Sequence, residues 1–298
     1  MHFYEDKMTI FEQTKILCQR LDIVPAKSKG QNFLISAGAL QEIIKAADLK
    51  KEDLVLEIGS GFGILTEQLV SLVGRVIAVE LDRKLFAWLK KRFSGAKNLE
   101  LIEGDIVSLF HCFIVSLLNG HRYKVVANLP YQITSHVLRL LLEAENPPEE
   151  MVLMMQKEVA ERICAKQGEM SVLSVAVQYY SQPSIISIVG KENFWPKPAV
   201  DSAIIKIKRQ KARLPAPDAA GYGGQAKGKI NEELFFKLVR VGFSSKRKML
   251  KNNLRNIYKE EEVTGAMESV GLGLKVRAED LGVEEWMKLY ERLGKVDK

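Results

Sequence analysis

Between residues 54 and 155 the chain alternates short, almost wholly apolar runs with stretches of helical spacing. The runs are 54–58 (Leu-Val-Leu-Glu-Ile), 75–80, 99–103, 123–127 and 150–155. Runs of five or six residues without a polar face are buried on both sides. Residues 64–73, 82–93 and 158–166, which succeed three of these runs, read as helices. Such alternation predicts the α/β class: a parallel sheet with helices on both faces. Residues 178–189 and 202–207 read as further strands completing the sheet. The pattern changes after residue 208. Of the 19 residues 211–229, 11 are Gly, Ala or Pro, which predicts a flexible linker over 209–229. From Asn231 the apolar spacing is helical throughout (Leu234, Phe235, Leu238, Val239, later Trp286, Leu289, Leu293). The expected organisation is a catalytic domain over 1–208, the linker, and a small all-helical domain over 230–298.

The loops at the carboxyl ends of these strands carry the chemistry. The first strand runs into Gly59-Ser60-Gly61-Phe62-Gly63 and then a helix. Gly59 and Gly61 allow a sharp turn and close approach of a ligand to the backbone. Dinucleotide sites use similar loops, but their fingerprint wants a small residue where Ile64 stands. The second strand ends at Glu80, 21 residues after Gly59. A carboxylate there can accept hydrogen bonds from both hydroxyls of a ribose. Asp105 comes after the third strand and can accept from an adenine amino group. Three strand ends on one edge of an open sheet converge on the crevice where such sheets bind ligands. A Rossmann-like sheet binding S-adenosylmethionine fits all three.

The fourth strand runs into Asn128-Leu129-Pro130-Tyr131. The exocyclic nitrogen of adenine is a poor nucleophile because its lone pair is delocalised into the ring. Acceptors aimed at its hydrogens draw it toward tetrahedral geometry. The Asn128 side-chain carbonyl and the Leu129 backbone carbonyl can supply them. Pro130 stiffens the loop, and Tyr131 offers a ring to stack on a base. Phe194-Trp195-Pro196-Lys197-Pro198 is a second aromatic element. Its two prolines hold the backbone extended, so that Phe194 can form the other face of a base clamp; Trp195 could serve in its place.

Charge points to the partner. The chain has 44 basic and 37 acidic residues, distributed unevenly. Up to residue 205 there are 23 basic and 24 acidic residues; from 206 onward there are 21 and 13. A basic helical module beside a near-neutral one suits a polyanion such as nucleic acid. Four cations, Lys246, Arg247, Lys248 and Lys251, lie within six positions and are expected to contact RNA phosphates. The distant Cys18, Cys112 and Cys164 suggest neither a disulfide framework nor a zinc site, and no metal is expected. No apolar run approaches the roughly 18 residues of a membrane span, and no secretory signal is visible. A cytoplasmic protein without membrane contact is expected, and nothing suggests an obligate dimer, so a monomer is expected.

Taken together, these motifs resemble the ribosomal RNA adenine dimethyltransferases, more closely their bacterial KsgA (RsmA) type, over residues 24–293. Residues 27–34 (Lys-Ser-Lys-Gly-Gln-Asn-Phe-Leu) match the N-terminal motif of that family, which implies cofactor contacts from Asn32 and Leu34. Gly59, Gly61, Glu80, Asp105 and Asn128 match its other cofactor positions, 128–131 its catalytic motif, and 194–202 its second aromatic motif. Residues 242–254 resemble its basic helix. The resemblance implies dimethylation of the N6 amino groups of two adjacent adenosines in the 3′-terminal hairpin of 16S rRNA, within a pre-30S particle. Two other readings remain open: a large-subunit rRNA methyltransferase of the macrolide-resistance type, and a non-catalytic RNA-binding assembly factor. Intact Asn128 and Tyr131 argue against the second.

Overall fold

The computed structural model describes residues 8–25, 31–210 and 230–293. Residues 27–30 of the N-terminal motif and residues 211–229 of the expected linker lie outside these. The chain divides into two compact units. The first comprises residues 1–160 and 183–209, and the second residues 161–182 and 210–298.

The strands are β1 (Phe33–Leu34), β2 (Leu54–Ile58), β3 (Arg75–Glu80), β4 (Leu99–Glu103), β5 (Lys124–Asn128), β6 (Glu150–Gln156), β7 (Ser181–Val189), β8 (Phe194–Trp195) and β9 (Ser202–Arg209). Seven form one sheet in the order β4-β3-β2-β5-β6-β9-β7. From β4 to β6 every pairing is parallel, as the alternation of strands with helices predicts. β9 pairs antiparallel with β6, so the sheet is mixed. Residues 203–205 of β9 are as buried as the central strands, and burial alone does not set strand direction. β2 and β3 exclude solvent almost completely, even at Glu57. The helices Ala37–Ala47 and Ile64–Leu72 supply Leu40, Ile43, Leu65 and Leu69 to the core over these strands. Burying each such side chain is worth about 2 kcal/mol.

β2 and β5 are adjacent and parallel although 65 residues lie between the end of the first and the start of the second. The order therefore reverses beside β2, with β3 leaving on one side and β5 on the other. In open α/β sheets that switch point, at the carboxyl ends of the strands, is where ligands bind. Outside the sheet, β1 and β8 form a two-stranded ribbon, with Leu34 opposite Phe194 and Phe33 opposite Trp195.

The second unit is helical. It contains the helices Val172–Tyr180, Glu232–Gly242, Leu250–Leu254, Glu260–Ser269 and Val283–Leu293. The first of these departs from expectation, because β-branched and aromatic residues near 178 read as strand. Ser171 and Ser174 form a reciprocal capping box that starts a helix here. Tyr179 then stacks on Phe235 with ring centroids 4.9 Å apart. The Tyr180 hydroxyl donates to the Glu232 carboxylate at 2.8 Å. Packing overrides intrinsic propensity, and the strand begins only at Ser181. Residues 161–182 thus group with the helical unit rather than with the sheet. Among the described residues, no helix is long and apolar enough to cross a membrane.

Candidate active site

The loop after β2 is built from left-handed backbone. Gly59, Gly61 and Gly63 have φ of 76°, 58° and 83°, values that side chains adopt only with strain. At Gly63 a Cβ would also lie 2.7 Å from the Phe93 ring. Two carboxylates stand behind this loop. Glu80, 6% exposed, accepts from the Gly61 N–H through Oε2 and from the Asp82 N–H through Oε1, each at 2.8 Å. Burial raises its pKa, and these backbone donors oppose the rise. The carboxylate keeps acceptor capacity for a ligand beyond these bonds. Glu57 is fully buried in β2. Its Oε2 accepts from the hydroxyls of Thr66 at 2.7 Å and Ser60 at 3.1 Å, while its Oε1 has no partner. Burial pushes its pKa up to about 7.

Asn128 closes β5 opposite Met154, and the Leu129 N–H continues the pairing to the Met154 carbonyl at 3.0 Å. The Pro130 carbonyl accepts from the Ile133 N–H and the Thr134 hydroxyl, both at 3.2 Å, so the chain turns at once into the helix Thr134–Leu142. Pro130 Cδ lies 3.6 Å, and the Asn128 carbonyl 3.8 Å, from where a Cβ on Gly59 would stand. The two loops, 69 residues apart between Gly59 and Asn128, are in contact. Tyr131 is half-buried, and its hydroxyl lies 2.7 Å from Ser202 Oγ. Burial keeps its phenol pKa above the usual range, so it is neutral at pH 7.

A cavity of about 110 Å³, several times what one water needs, opens between these loops. Of the residues singled out in the sequence, Asn32, Leu34, Gly59, Gly61, Glu80, Asn128, Leu129, Pro130, Tyr131 and Phe194 all line it. Phe194 is only 2% exposed and belongs equally to the core. Trp195 packs instead against the cluster of Cys18, Ile23, Phe62 and Leu85. Of the two aromatics, Phe194 is the one on the cavity wall. Asp105 is not on it. Its carboxylate caps the helix Ile106–Leu109, accepting from the Val107 N–H and the Ser108 hydroxyl, both at 3.1 Å. It sits on the same sheet edge, since the Gly104 N–H donates to the Glu80 carbonyl at 2.9 Å.

Glu57, Phe33 and Phe62, to which the motifs assign no role, also line the cavity. Phe33 and Phe62 stand 4.5 Å apart, ring to ring. Glu57 carried a signal that was legible: an acid inside a strand buried on both faces needs a reason.

In the second unit, Lys246, Arg247 and Lys248 are exposed. They do not lie on a helix, contrary to expectation. The helix Glu232–Gly242 stops at Gly242, where a Cβ would stand 2.3 Å from the Trp286 ring. The buried Asn253 amide donates to the carbonyls of Gly242 at 2.6 Å and Ser245 at 3.0 Å. The three cations therefore ride a turn, and only Lys251 is helical, in Leu250–Leu254.

An open α/β sheet with this order, carrying a glycine loop and a strand-end carboxylate at its switch point, defines the fold of the S-adenosylmethionine-dependent methyltransferases. A family model described as "Ribosomal RNA adenine dimethylase" matches residues 26–295. "Ribosomal RNA small subunit methyltransferase A" of Dehalococcoides mccartyi is 42% identical over 283 residues, covering 94% of this chain and 92% of that protein. The protein of the same name from Moorella thermoacetica is 36% identical, covering 94% and 96%. Among solved structures, a dimethyladenosine transferase from Plasmodium falciparum superposes with a TM-score of 0.73 at 27% identity, covering 88% of this chain and 98% of that one. The 23S rRNA methyltransferase ErmE superposes at 0.69, also with 27% identity, covering 88% and 100%. The chain belongs to the ribosomal RNA adenine dimethylase family, and it is an rRNA adenine methyltransferase.

Proposed function

We propose that this enzyme dimethylates N6 of two adjacent adenosines in the 3′-terminal hairpin of 16S rRNA, within the precursor of the small ribosomal subunit, in the cytoplasm and as a monomer. The observation that carries the reading is the contact between the loop Asn128–Tyr131 and the loop Gly59–Gly63 on one cavity wall. One loop suits a methyl donor, the other a planar amino group.

The residues fit S-adenosylmethionine. Left-handed glycines leave the backbone open to close approach. Glu80 keeps acceptor capacity for ribose hydroxyls, and the unpartnered Glu57 Oε1 suits a cationic ligand. Asn32 and Leu34 complete the wall, and Asp105, farther along the same edge, accepts from the adenine amino group in this reading. When bound, the cofactor supplies a methyl group activated by its sulfonium.

The chain does the rest by positioning. Tyr131 and Phe194 sandwich the target base. The Asn128 side-chain carbonyl and the Leu129 backbone carbonyl accept from the adenine amino group and turn its lone pair toward the donor. No strong base is required, because the nitrogen becomes acidic on methylation. Lys246, Arg247, Lys248 and Lys251 hold RNA phosphates. Small-subunit particles from cells lacking this enzyme should acquire dimethyladenosine at the two hairpin positions when incubated with it and S-adenosylmethionine. Mass mapping of 16S and 23S rRNA reads the result. Label appearing in 23S rRNA instead would establish the large-subunit reading.

A further inference from the structure

Ser202 lies at the start of β9, fully buried. Its place is set by the register of three strands. Asn128 on β5 stands opposite Met154 on β6. Met154 stands opposite Ile204 on β9, and Gln156 opposite Ser202. Ser202 is therefore two residues, roughly 7 Å, beyond the row of Asn128 toward the edge that bears the cavity. Tyr131 is three residues past Asn128, in the loop that leaves the same edge, and its hydroxyl reaches Ser202 Oγ at 2.7 Å. Among the described residues, Tyr131 is the hydrogen-bond partner of the Ser202 hydroxyl.

A tyrosine that merely stacks on a base has no need of a fixed hydroxyl. Here the far end of the ring is anchored to the sheet. Such an anchor restrains rotation about the Cα–Cβ bond and so fixes where the ring stands. Phe194, the opposite wall, is anchored too, through the pairing of its strand with Leu34. Both walls are thus set before a base arrives, and preorganised walls lower the ordering cost of binding.

We propose that Ser202 is a positioning residue for methyl transfer: its hydroxyl fixes the Tyr131 ring at the spacing a flipped adenine requires. This rests on the reading of Tyr131 as a wall of the base pocket. The two hydroxyls bond to each other, so in this proposal each acts through the other rather than on the reacting atoms.

The test is a double-mutant cycle with Tyr131→Phe, Ser202→Ala and the pair together, using the full-length protein and undermethylated small-subunit particles. Each single variant should lower kcat about tenfold. KM for the cofactor and affinity for S-adenosylhomocysteine should stay within about twofold of wild type, since the methyl-donor side is untouched. The double variant should be no slower than the slower single one, rather than about a hundredfold down. Thermal melting of all four proteins checks that the fold is intact. Losses that multiply in the double variant would overturn the proposal, as would full activity in Ser202→Ala. A change confined to melting temperature, with kcat unaltered, would reduce the pair to a structural tie and overturn it as well. Wild-type protein that methylates no adenosine in these particles would sink the underlying functional reading, an outcome distinct from losses that multiply in an active enzyme.

Discussion

The two units present polar groups in opposite ways. In the first, the polar groups of the candidate site are withdrawn: Glu57 and Glu80 are buried, and Asn128 and Tyr131 are half-buried, each tied to a strand end or a strand neighbour. In the second, Lys246, Arg247 and Lys248 stand in solvent on a turn, without an ion-pair partner among the described residues. Under the proposed function this contrast is a division of labour. Enclosed groups act through geometry, where small displacements cost large factors. Exposed charges act through number and are screened by salt.

If that contrast holds, the largest effects belong to the cavity. Asn128→Ala should lower the single-turnover methylation rate by at least about a hundredfold, the scale of losing one preorganised polar contact in a closed site. Methylation at the wild-type rate would remove Asn128 from the chemistry. Glu80→Gln ranks next. The amide cannot replace a carboxylate that accepts at both oxygens, because its NH2 would face the N–H of Gly61 or Asp82. Affinity for S-adenosylhomocysteine, measured by calorimetry, should fall roughly tenfold or more, the scale of about 1.4 kcal/mol. Unchanged affinity would remove Glu80 from the cofactor site.

Glu57 sharpens the point because its burial carries a cost in stability. Its pKa is raised from 4.5 to about 7 in the folded chain. Between those values the unfolded chain has lost the proton and the folded chain keeps it, so stability falls as pH rises through that window. Above pH 7 the cost levels off, at about 3 kcal/mol or less. Glu57→Gln keeps an acceptor for Ser60 and Thr66 and removes the titration. Urea unfolding at pH 5 and pH 8 should show the variant gaining on wild type as pH rises. Parallel pH dependences would mean that Glu57 ionises freely. A variant both more stable at pH 8 and weaker for S-adenosylhomocysteine would mark a residue kept for binding at the expense of stability.

The parallel core from β4 to β6 and the loops at its edge were legible because buried strands leave unbroken apolar runs and left-handed turns demand glycine. The residues Gly59, Glu80 and Asn128 came from that pattern. Three features were not legible. The direction of β9 depends on which neighbour it meets, and apolarity does not encode that. Residues 172–180 hide a helix behind β-branched residues, and it forms because Tyr179 finds Phe235. The basic segment is expected as a helix from the family resemblance, yet Gly242 must pass under Trp286 and Asn253 claims two carbonyls there. Such tertiary demands leave only faint marks in the local sequence: a glycine, and one buried asparagine among several.

That last difference bears on the smallest effect expected. On a helix, Lys246, Arg247 and Lys248 would point in three directions about 100° apart, and a single phosphate track would engage one or two of them. On a turn held by Asn253 they can face one strand together. Neutralising each in turn, as Lys246→Gln, Arg247→Gln and Lys248→Gln, should therefore lower the slope of log K for RNA binding against log salt by somewhat less than about one unit each. The triple variant should lose roughly two to three units of slope. kcat at saturating RNA and low salt should barely move, because the cavity is untouched. A slope that changes for only one of the three would restore the helical presentation. A large fall in kcat at saturation would show that these charges steer the base rather than merely hold the RNA, and the contrast between enclosed and exposed groups would fail.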